Sequence, residues 1–302
     1  MKKISVFLII LVLITGCSTT KSVKKVNTYE NMRNYVTEDY KQPKKKIAVV
    51  DFSNNTRFGE RRLGEAATDV LLTELKKSKR FVVLERENVD EMMKQIKLSK
   101  KGLTKGNLKN LNMLDANYLV MGSVSKYSTR VEGEKSIFSK SKKQIAEVAV
   151  DLRLVDTKTG EIIIADTGEG KAVREHSQVM GWGSSGSYDE SLENDAFRSS
   201  VIKLVENIVN TLDKKEWYCN VVKIKNNKLY LDAGKKANID IRDSFSLYKI
   251  GEPIKDLDGK LIGYEKNKIG KIHVKEYLGQ NGSVAKYKGN NELKLPLICK
   301  LK

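Results

Sequence analysis

The stretch Ile47-Ala48-Val49-Val50-Asp51-Phe52 decides the fold, because a short apolar run bounded by lysines and a polar loop is typical of a buried strand. Residues 63–77 follow with apolar side chains at helical spacing, and residues 81–84 are a second apolar run. Residues 89–98 again have helical spacing, and residues 118–124 indicate a third strand. This alternation predicts an α/β domain, a mixed sheet flanked by helices.

Two extended β-hairpins are predicted after the third strand. The first joins residues 123–131 to residues 144–155, where apolar side chains alternate along one face. The second runs through residues 161–167 and 171–180 to a tip rich in glycine and serine. Because residues 171–180 carry charged or polar side chains on both faces, we expect these hairpins to be too hydrophilic to enter lipid unaided.

The chain changes character after a predicted amphipathic helix over residues 192–212. Residues 217–302 contain short apolar runs separated by Asn-Asn, Asp-Gly and Asn-Gly turns, which predicts a small all-β barrel domain. The predicted organisation is a signal peptide (1–16), a lipidated cysteine with a tether (17–46), an α/β domain (47–213) and a small β-barrel module (214–302).

The first residues predict export and a lipid anchor. Met1-Lys2-Lys3 is a basic start, residues 4–14 are apolar apart from Ser5, and Cys17 follows Thr15-Gly16. The apolar run is shorter than the roughly 20 residues of a spanning helix. The pattern resembles the lipobox of bacterial lipoproteins, which implies that Cys17 carries acyl chains such as palmitate at a membrane surface. The alternative is an ordinary signal peptide with a chance cysteine.

The net charge of +18 is unevenly distributed. Residues 213–302 carry 20 basic and 11 acidic side chains, a net charge of +9, whereas residues 17–212 carry 34 and 27, a net charge of +7. The C-terminal module is therefore the more basic part of the chain. An anionic envelope partner and a merely solvated, lysine-rich surface both fit this charge.

No pattern in the sequence predicts catalysis. Residues 181–186 match G-x-G-x-x-G, but the preceding residues are polar, so a hairpin tip is the better interpretation than a dinucleotide loop. Trp182 on that tip is a candidate for contact with a membrane interface. Neither His176 nor His273 has a recognisable nucleophile beside it. We therefore predict no enzyme activity, catalytic residue, cofactor, metal ion or nucleic-acid partner.

Cys219 and Cys299 lie near the two ends of the predicted β-module. The first and last strands of a small barrel are often neighbours, and a compartment outside the cytoplasm permits oxidation. A disulfide between Cys219 and Cys299 is thus one interpretation, and two buried thiols are the other.

Several segments together resemble the family of the curli production assembly/transport component CsgG. The matching segments are residues 47–54, 66–86, 114–123 and 150–163, together with the closing helix and the lipobox. The last part of the chain resembles, more loosely, the small β-modules of FlgT-like proteins, through residues 233–239 and 268–272.

The resemblance implies an outer-membrane lipoprotein that faces the periplasm and assembles into a ring, with two hairpins per subunit in the membrane. It also implies that a loop after the first strand lines the axis of the oligomer. Here that loop, residues 53–62, offers Asn54, Asn55 and Phe58, and it is short and rich in arginine.

Two functions follow as hypotheses. The first is a component in the assembly or secretion of extracellular, curli-like fibre proteins, with fibre subunits or accessory envelope proteins as partners. The second is a periplasmic binding or scaffold lipoprotein without a pore, whose basic C-terminal module contacts an anionic polymer or a partner protein.

Overall fold

The computed structural model of the chain describes residues 33–35, 40–84, 116–135, 139–179, 182–183, 191–259 and 261–301. Two separate sheets dominate these residues, and each has its own hydrophobic core. The predicted helix at residues 89–98 and the signal peptide lie outside the described residues.

The first sheet contains seven strands in the order β3-β1-β4-β5-β6-β7, and β2 pairs with β4. Strands β3, β1 and β4 are parallel, whereas β4 to β7 form an antiparallel meander. Their bounds are β1 Lys45–Val49, β2 Ser53–Asn54, β3 Phe81–Val83, β4 Tyr118–Lys135, β5 Ser139–Asp156, β6 Ile162–Val179 and β7 Trp182–Gly183. The predicted mixed sheet flanked by helices is therefore confirmed.

Helices α1 (Arg62–Lys77) and α2 (Ser191–Asp213) pack together on one face of this sheet. Their apolar residues recur every three or four positions, so each helix presents one buried stripe. Leu63, Leu71 and Leu75 of α1 are fully buried in the core that they share with α2 and strands β4 and β5.

Helix α2 lies unusually close to β6. A Cβ atom on Gly170 would stand 1.9 Å from the carbonyl oxygen of Ala196, and one on Gly168 would stand 2.1 Å from that of Ser200. Only glycine allows two backbones to approach so closely. Gly168 and Gly170 lie between the two predicted segments, residues 161–167 and 171–180, and β6 runs through them without a break.

The C-terminal unit, residues 217–301, consists of six strands in the order β10-β11-β12-β9-β8-β13. Because β13 also pairs with β10, the sheet closes on itself as a closed barrel around a core that includes Phe245 and Leu247. The bounds are β8 Tyr218–Lys225, β9 Lys228–Leu231, β10 Ser244–Lys255, β11 Leu261–Leu278, β12 Gly282–Lys288 and β13 Leu297–Lys300.

The predicted tether is partly built into the fold. Tyr35 is 3% exposed and belongs to the first core, and Lys45 and Lys46 are the first residues of β1. Asn238 fixes residue 40 by donating from Nδ2 to the carbonyl oxygen of Tyr40. A polar stretch can look like a linker in sequence when its partners lie far away in the chain.

No helix within the described ranges is both long and apolar enough to cross a membrane.

Candidate interaction surfaces

The loop of residues 53–62 is held closed by its own asparagine. The Asn54 amide donates to the carbonyl oxygens of Phe58 (2.5 Å) and Glu60 (2.6 Å), and its Oδ1 accepts from the backbone and hydroxyl of Thr56. Asn55 donates its backbone N–H to the carbonyl oxygen of Val124. The Asn54 side chain therefore has an internal structural role in this chain.

Phe58 is a large apolar side chain that this loop presents to solvent. It is 59% exposed, and its ring centroid lies 6.3 Å from that of Tyr127. Arg57 and Arg61 on either side are also exposed. Of the three loop residues expected to face an oligomer axis, Asn55 and Phe58 are exposed, and Phe58 is the apolar one.

A second surface lies on the three long strands β4, β5 and β6. We call their outer parts the ribbon (residues 126–133, 142–149 and 169–175). Glu147 lies at its centre and pairs with Arg130 (3.1 Å), Lys171 (3.3 Å) and Lys126 (3.7 Å). Hydrogen bonds from Arg130 and Lys171 lower the pKa of Glu147 to about 2, so its carboxylate stays charged across the physiological range.

The opposite face of the ribbon is also polar at its far end. Arg174 donates to the hydroxyl of Ser191 (3.1 Å) and pairs with Asp195 (3.4 Å) at the start of α2. Gln144 beside it in the register is fully buried. The inward face of the ribbon is therefore polar at this end, whereas Ala146 and Val148 farther along it belong to the first core.

Rows of basic side chains cross the outside of the C-terminal unit. In the register, Lys225 faces Lys228, Lys228 faces Lys286, and Lys286 faces His273, so one row crosses four strands. Lys271 faces Lys288 in the next row. Like charges placed directly opposite each other destabilise a sheet. Glu276 offsets part of this repulsion by pairing with Lys228 at 3.3 Å. These lysine rows form a surface suited to an anion.

Cys219 and Cys299 face each other on the neighbouring strands β8 and β13. Both are buried free thiols, and burial together with a hydrogen bond that the Cys219 thiol donates to Cys299 raises the pKa of Cys219. The structure thus brings together the two residues that the sequence singled out, and the disulfide stays a prediction.

Two other predicted residues cannot be placed in contact with anything. Cys17 lies outside the described residues. Trp182 is described only as backbone, which pairs with Val179 at the far end of β6. Its interfacial contact therefore stays a prediction.

Sequence reasoning missed the residues where the two sheets meet, which include Lys45, Arg80 and Trp217. Lys45 was assigned to the tether because lysines surround it, and Arg80 looked like an ordinary turn residue. Trp217 donates from Nε1 to the carbonyl oxygen of Lys44 (3.1 Å). The signal in the sequence was a Trp at the start of the predicted all-β segment, because a buried Trp usually needs a hydrogen-bond acceptor for its N–H group.

The similarity to known proteins covers the part of the chain that contains the first sheet. The model of the family "Curli production assembly/transport component CsgG" matches residues 28–239. The lipoprotein NMB1126/NMB1164 of Neisseria meningitidis serogroup B is 29% identical over 221 residues, covering 68% of this chain and 92% of that protein. CsgG of Salmonella typhimurium is 30% identical over 111 residues, covering 33% of this chain and 40% of that protein.

Among solved structures, the lipoprotein GNA1162 from Neisseria meningitidis aligns with 57% of this chain and 99% of its own chain. The sequence identity is 16% and the TM-score is 0.30. The resemblance of the last part of the chain to FlgT-like modules stays a prediction.

Proposed function

This chain belongs to the CsgG family, and from that premise we propose that it is a lipid-anchored scaffold lipoprotein of the cell envelope. In this proposal Cys17 holds it at the outer membrane facing the periplasm, where it acts as a homo-oligomer without enzymatic activity. Kinship with envelope lipoproteins supports the anchor and the location.

The ion-paired ribbon is the observation that carries this proposal. Lys126, Arg130, Glu147 and Lys171 share one face of it. A basic side chain on the lipid face of a membrane strand costs about 2–4 kcal/mol near the bilayer midplane. The described ribbon is therefore suited to water and to contacts with protein or polymer, which favours a scaffold over a wall that crosses lipid.

The anchor gives the first test. We expect Cys17→Ala to move the protein from the membrane fraction to the soluble fraction, because no acyl chain then remains to hold it. Ser18→Ala keeps the cysteine and is the matched control, which should stay in the membrane. Cys17→Ala protein that resists extraction with alkaline carbonate would mean that the ribbon inserts by itself, and the scaffold proposal would fail.

A second candidate is a component for the assembly or secretion of extracellular, curli-like fibre proteins. The 111-residue similarity to CsgG favours it, but this chain matches only 40% of the length of that relative. Native mass spectrometry in mild detergent and planar-bilayer recording separate the candidates. A closed oligomer that conducts ions supports secretion, whereas an oligomer without conductance supports the scaffold.

The lysine rows indicate one class of partner for the scaffold, an anionic envelope polymer. We expect the protein to bind immobilised polygalacturonate with an affinity that falls as salt rises. The pair Lys228→Gln and Lys286→Gln should weaken binding several-fold. The pair Lys76→Gln and Lys203→Gln removes the same charge from exposed positions on α1 and α2 and should have little effect.

A further inference from the structure

A cleft of about 560 Å³ opens where the two sheets meet. Its walls come from the segment before β1, from the end of α2 and from strands β10 and β11 of the C-terminal unit. The residues that line it include Tyr40, Lys45, Arg80, Asp213 and Tyr248. The volume falls within the range of about 300–1,000 Å³ that is usual for small-molecule sites.

The acidic groups of the cleft are already neutralised by their own partners. Asp213 pairs with Arg80 at 3.1 Å, and Glu216 pairs with Lys300. Lys215 and Lys268 also line the cleft, and neither forms an ion pair with any residue that the structure describes. The remaining charge of the cleft is therefore positive.

Lys45 is the most informative of these cations. Its side chain enters the cleft from the first position of β1, and the residue is only 7% exposed. Within the described part of the chain, its ammonium group has no hydrogen bond and no ion pair. Burial lowers the pKa of Lys45, and the charge of Asp213 opposes that shift. A buried charge without a partner is costly, so this position favours an acceptor from outside the chain.

Arg80 adds a second unsatisfied donor. Its Nη1 is used by Asp213, and its Nε is buried and has no hydrogen-bond acceptor among the residues that the structure describes. The guanidinium also lies over the ring of Tyr40, 4.3 Å from the centroid, which fixes its plane. A planar arginine that lines a cleft and is held in place in this way is well suited to bind carboxylate or phosphate.

The cleft has room for more than an ion. Tyr40 and Tyr248 line it beside the cations, and Ser246 adds a hydroxyl. Aromatic rings surrounded by hydroxyl and ammonium groups suit a ligand with apolar faces and polar edges, such as a sugar ring. We propose that this cleft binds a sugar acid or a sugar phosphate, with the anionic group at Lys45 and Arg80.

The site is independent of the ribbon and of the oligomeric state, so it goes beyond the scaffold function. It also connects to the lysine rows, because Ser246 in the cleft faces Lys271 in the register and Lys271 faces Lys288. A longer anionic chain bound at the cleft would therefore continue over a basic surface.

Calorimetric titration of the full-length lipoprotein in mild detergent tests the proposal. The probes are glucuronate and glucose 1-phosphate, with glucose as the neutral probe and glycerol 3-phosphate as the stand-in for a lipid headgroup. We expect both anionic sugars to bind at least tenfold more tightly than glucose. Equal binding of glycerol 3-phosphate and glucose 1-phosphate would overturn the sugar part of the proposal.

Variants locate the binding. Lys45→Met should weaken the binding of both anionic sugars at least tenfold, and Lys268→Met, at an exposed position of β11, should weaken it about threefold. Lys203→Met is the control of equal charge and should leave the affinities unchanged. Unchanged affinities in both cleft variants, or no heat of binding from any anionic sugar at millimolar concentration, would overturn the site.

Discussion

At the scale of single residues, Glu74 shows how the N-terminal segment is held. Its carboxylate is fully buried on α1 and accepts from Arg33 Nε (2.8 Å), Arg33 Nη2 (2.9 Å) and the Tyr35 hydroxyl (3.2 Å). Burial raises the pKa of Glu74, but hydrogen bonds from Arg33 and the charges of Arg33 and Lys77 outweigh it, so the pKa lies below its ordinary value.

We expect Glu74→Gln to lower the free energy of unfolding by about 2–4 kcal/mol, because it leaves the guanidinium of Arg33 beside a neutral amide in a largely buried place. Urea unfolding measures the change. Glu65→Gln, on the exposed side of the same helix, is the control and should stay within about 0.5 kcal/mol of the parent. Equal stability of the two variants would remove Glu74 as the anchor of this segment.

The same carboxylate predicts a loss of stability in acid. Its folded-state pKa lies below its unfolded value, so its contribution is complete above the ordinary carboxyl range near pH 4 and is lost as the pH falls through the folded value. Urea midpoints from pH 7 down to pH 3 should fall less steeply for Glu74→Gln than for the parent. Parallel curves would contradict the assignment.

At the scale of elements, the contact of α2 with β6 depends on glycine. We expect Gly170→Ala to destabilise the protein by more than about 2 kcal/mol, because the new methyl group would overlap the carbonyl oxygen of Ala196 and force the helix away from the sheet. Gly263→Ala in β11 adds the same group to open space and should change stability little. Thermal unfolding measures the stability of both variants. Similar unfolding midpoints for Gly170→Ala and Gly263→Ala would contradict the close packing of α2 on β6.

These elements also show which parts of the secondary structure could be predicted from the sequence. The helix over residues 63–77 and the alternation of β5 were readable, because each buries one regular apolar stripe. Strand β6 was predicted only as the segments 161–167 and 171–180, because Gly168 and Gly170 between them carry no side chain to show a period. The demand for those glycines comes from α2, which lies more than 20 residues away in the chain.

Of the candidate sites, one was predicted from the sequence and another was missed. The pairing of Cys219 with Cys299 followed from where strands of a closed sheet begin and end, so position in the chain was enough to bring them together. The junction cleft was missed because Lys45 and Arg80 acquire meaning only when α2 and β10 meet them. A lysine among other lysines gives no signal in sequence that it will be buried.

At the scale of the whole molecule, the two sheets are joined at several points by backbone and side chains. Lys44 donates its N–H to the carbonyl oxygen of Ala237, and Lys46 pairs with Asp232 at 3.3 Å. The turn between β5 and β6 also reaches across and places the Lys158 ammonium 3.5 Å from the ring centroid of Tyr218. The first sheet and the C-terminal unit are therefore expected to unfold together.

Lys158 makes this junction sensitive to pH in a direction that can be tested. Burial, with the nearby charges of Lys266 and Lys300, lowers the pKa of Lys158 to about 8, while Asp156 and Asp232 oppose the shift. The unfolded chain holds this proton up to about pH 10.4. Between these values the unfolded state binds more protons than the folded state, so the free energy of unfolding rises with pH.

We therefore expect Lys158 to contribute a gain of about 1–2 kcal/mol between pH 7 and pH 9.5, measured as the difference between the parent and Lys158→Met, because the Cys219 thiol acts in the opposite direction in both proteins. Lys158→Met should remove that part of the rise and be the more stable protein at pH 7, because it no longer buries a charge. Lys203→Met is the control and should follow the parent at both values. Guanidinium unfolding at the two pH values measures all three proteins, and a Lys158→Met curve that rises as much as the parent's would mean that Lys158 keeps its proton at the junction through this range.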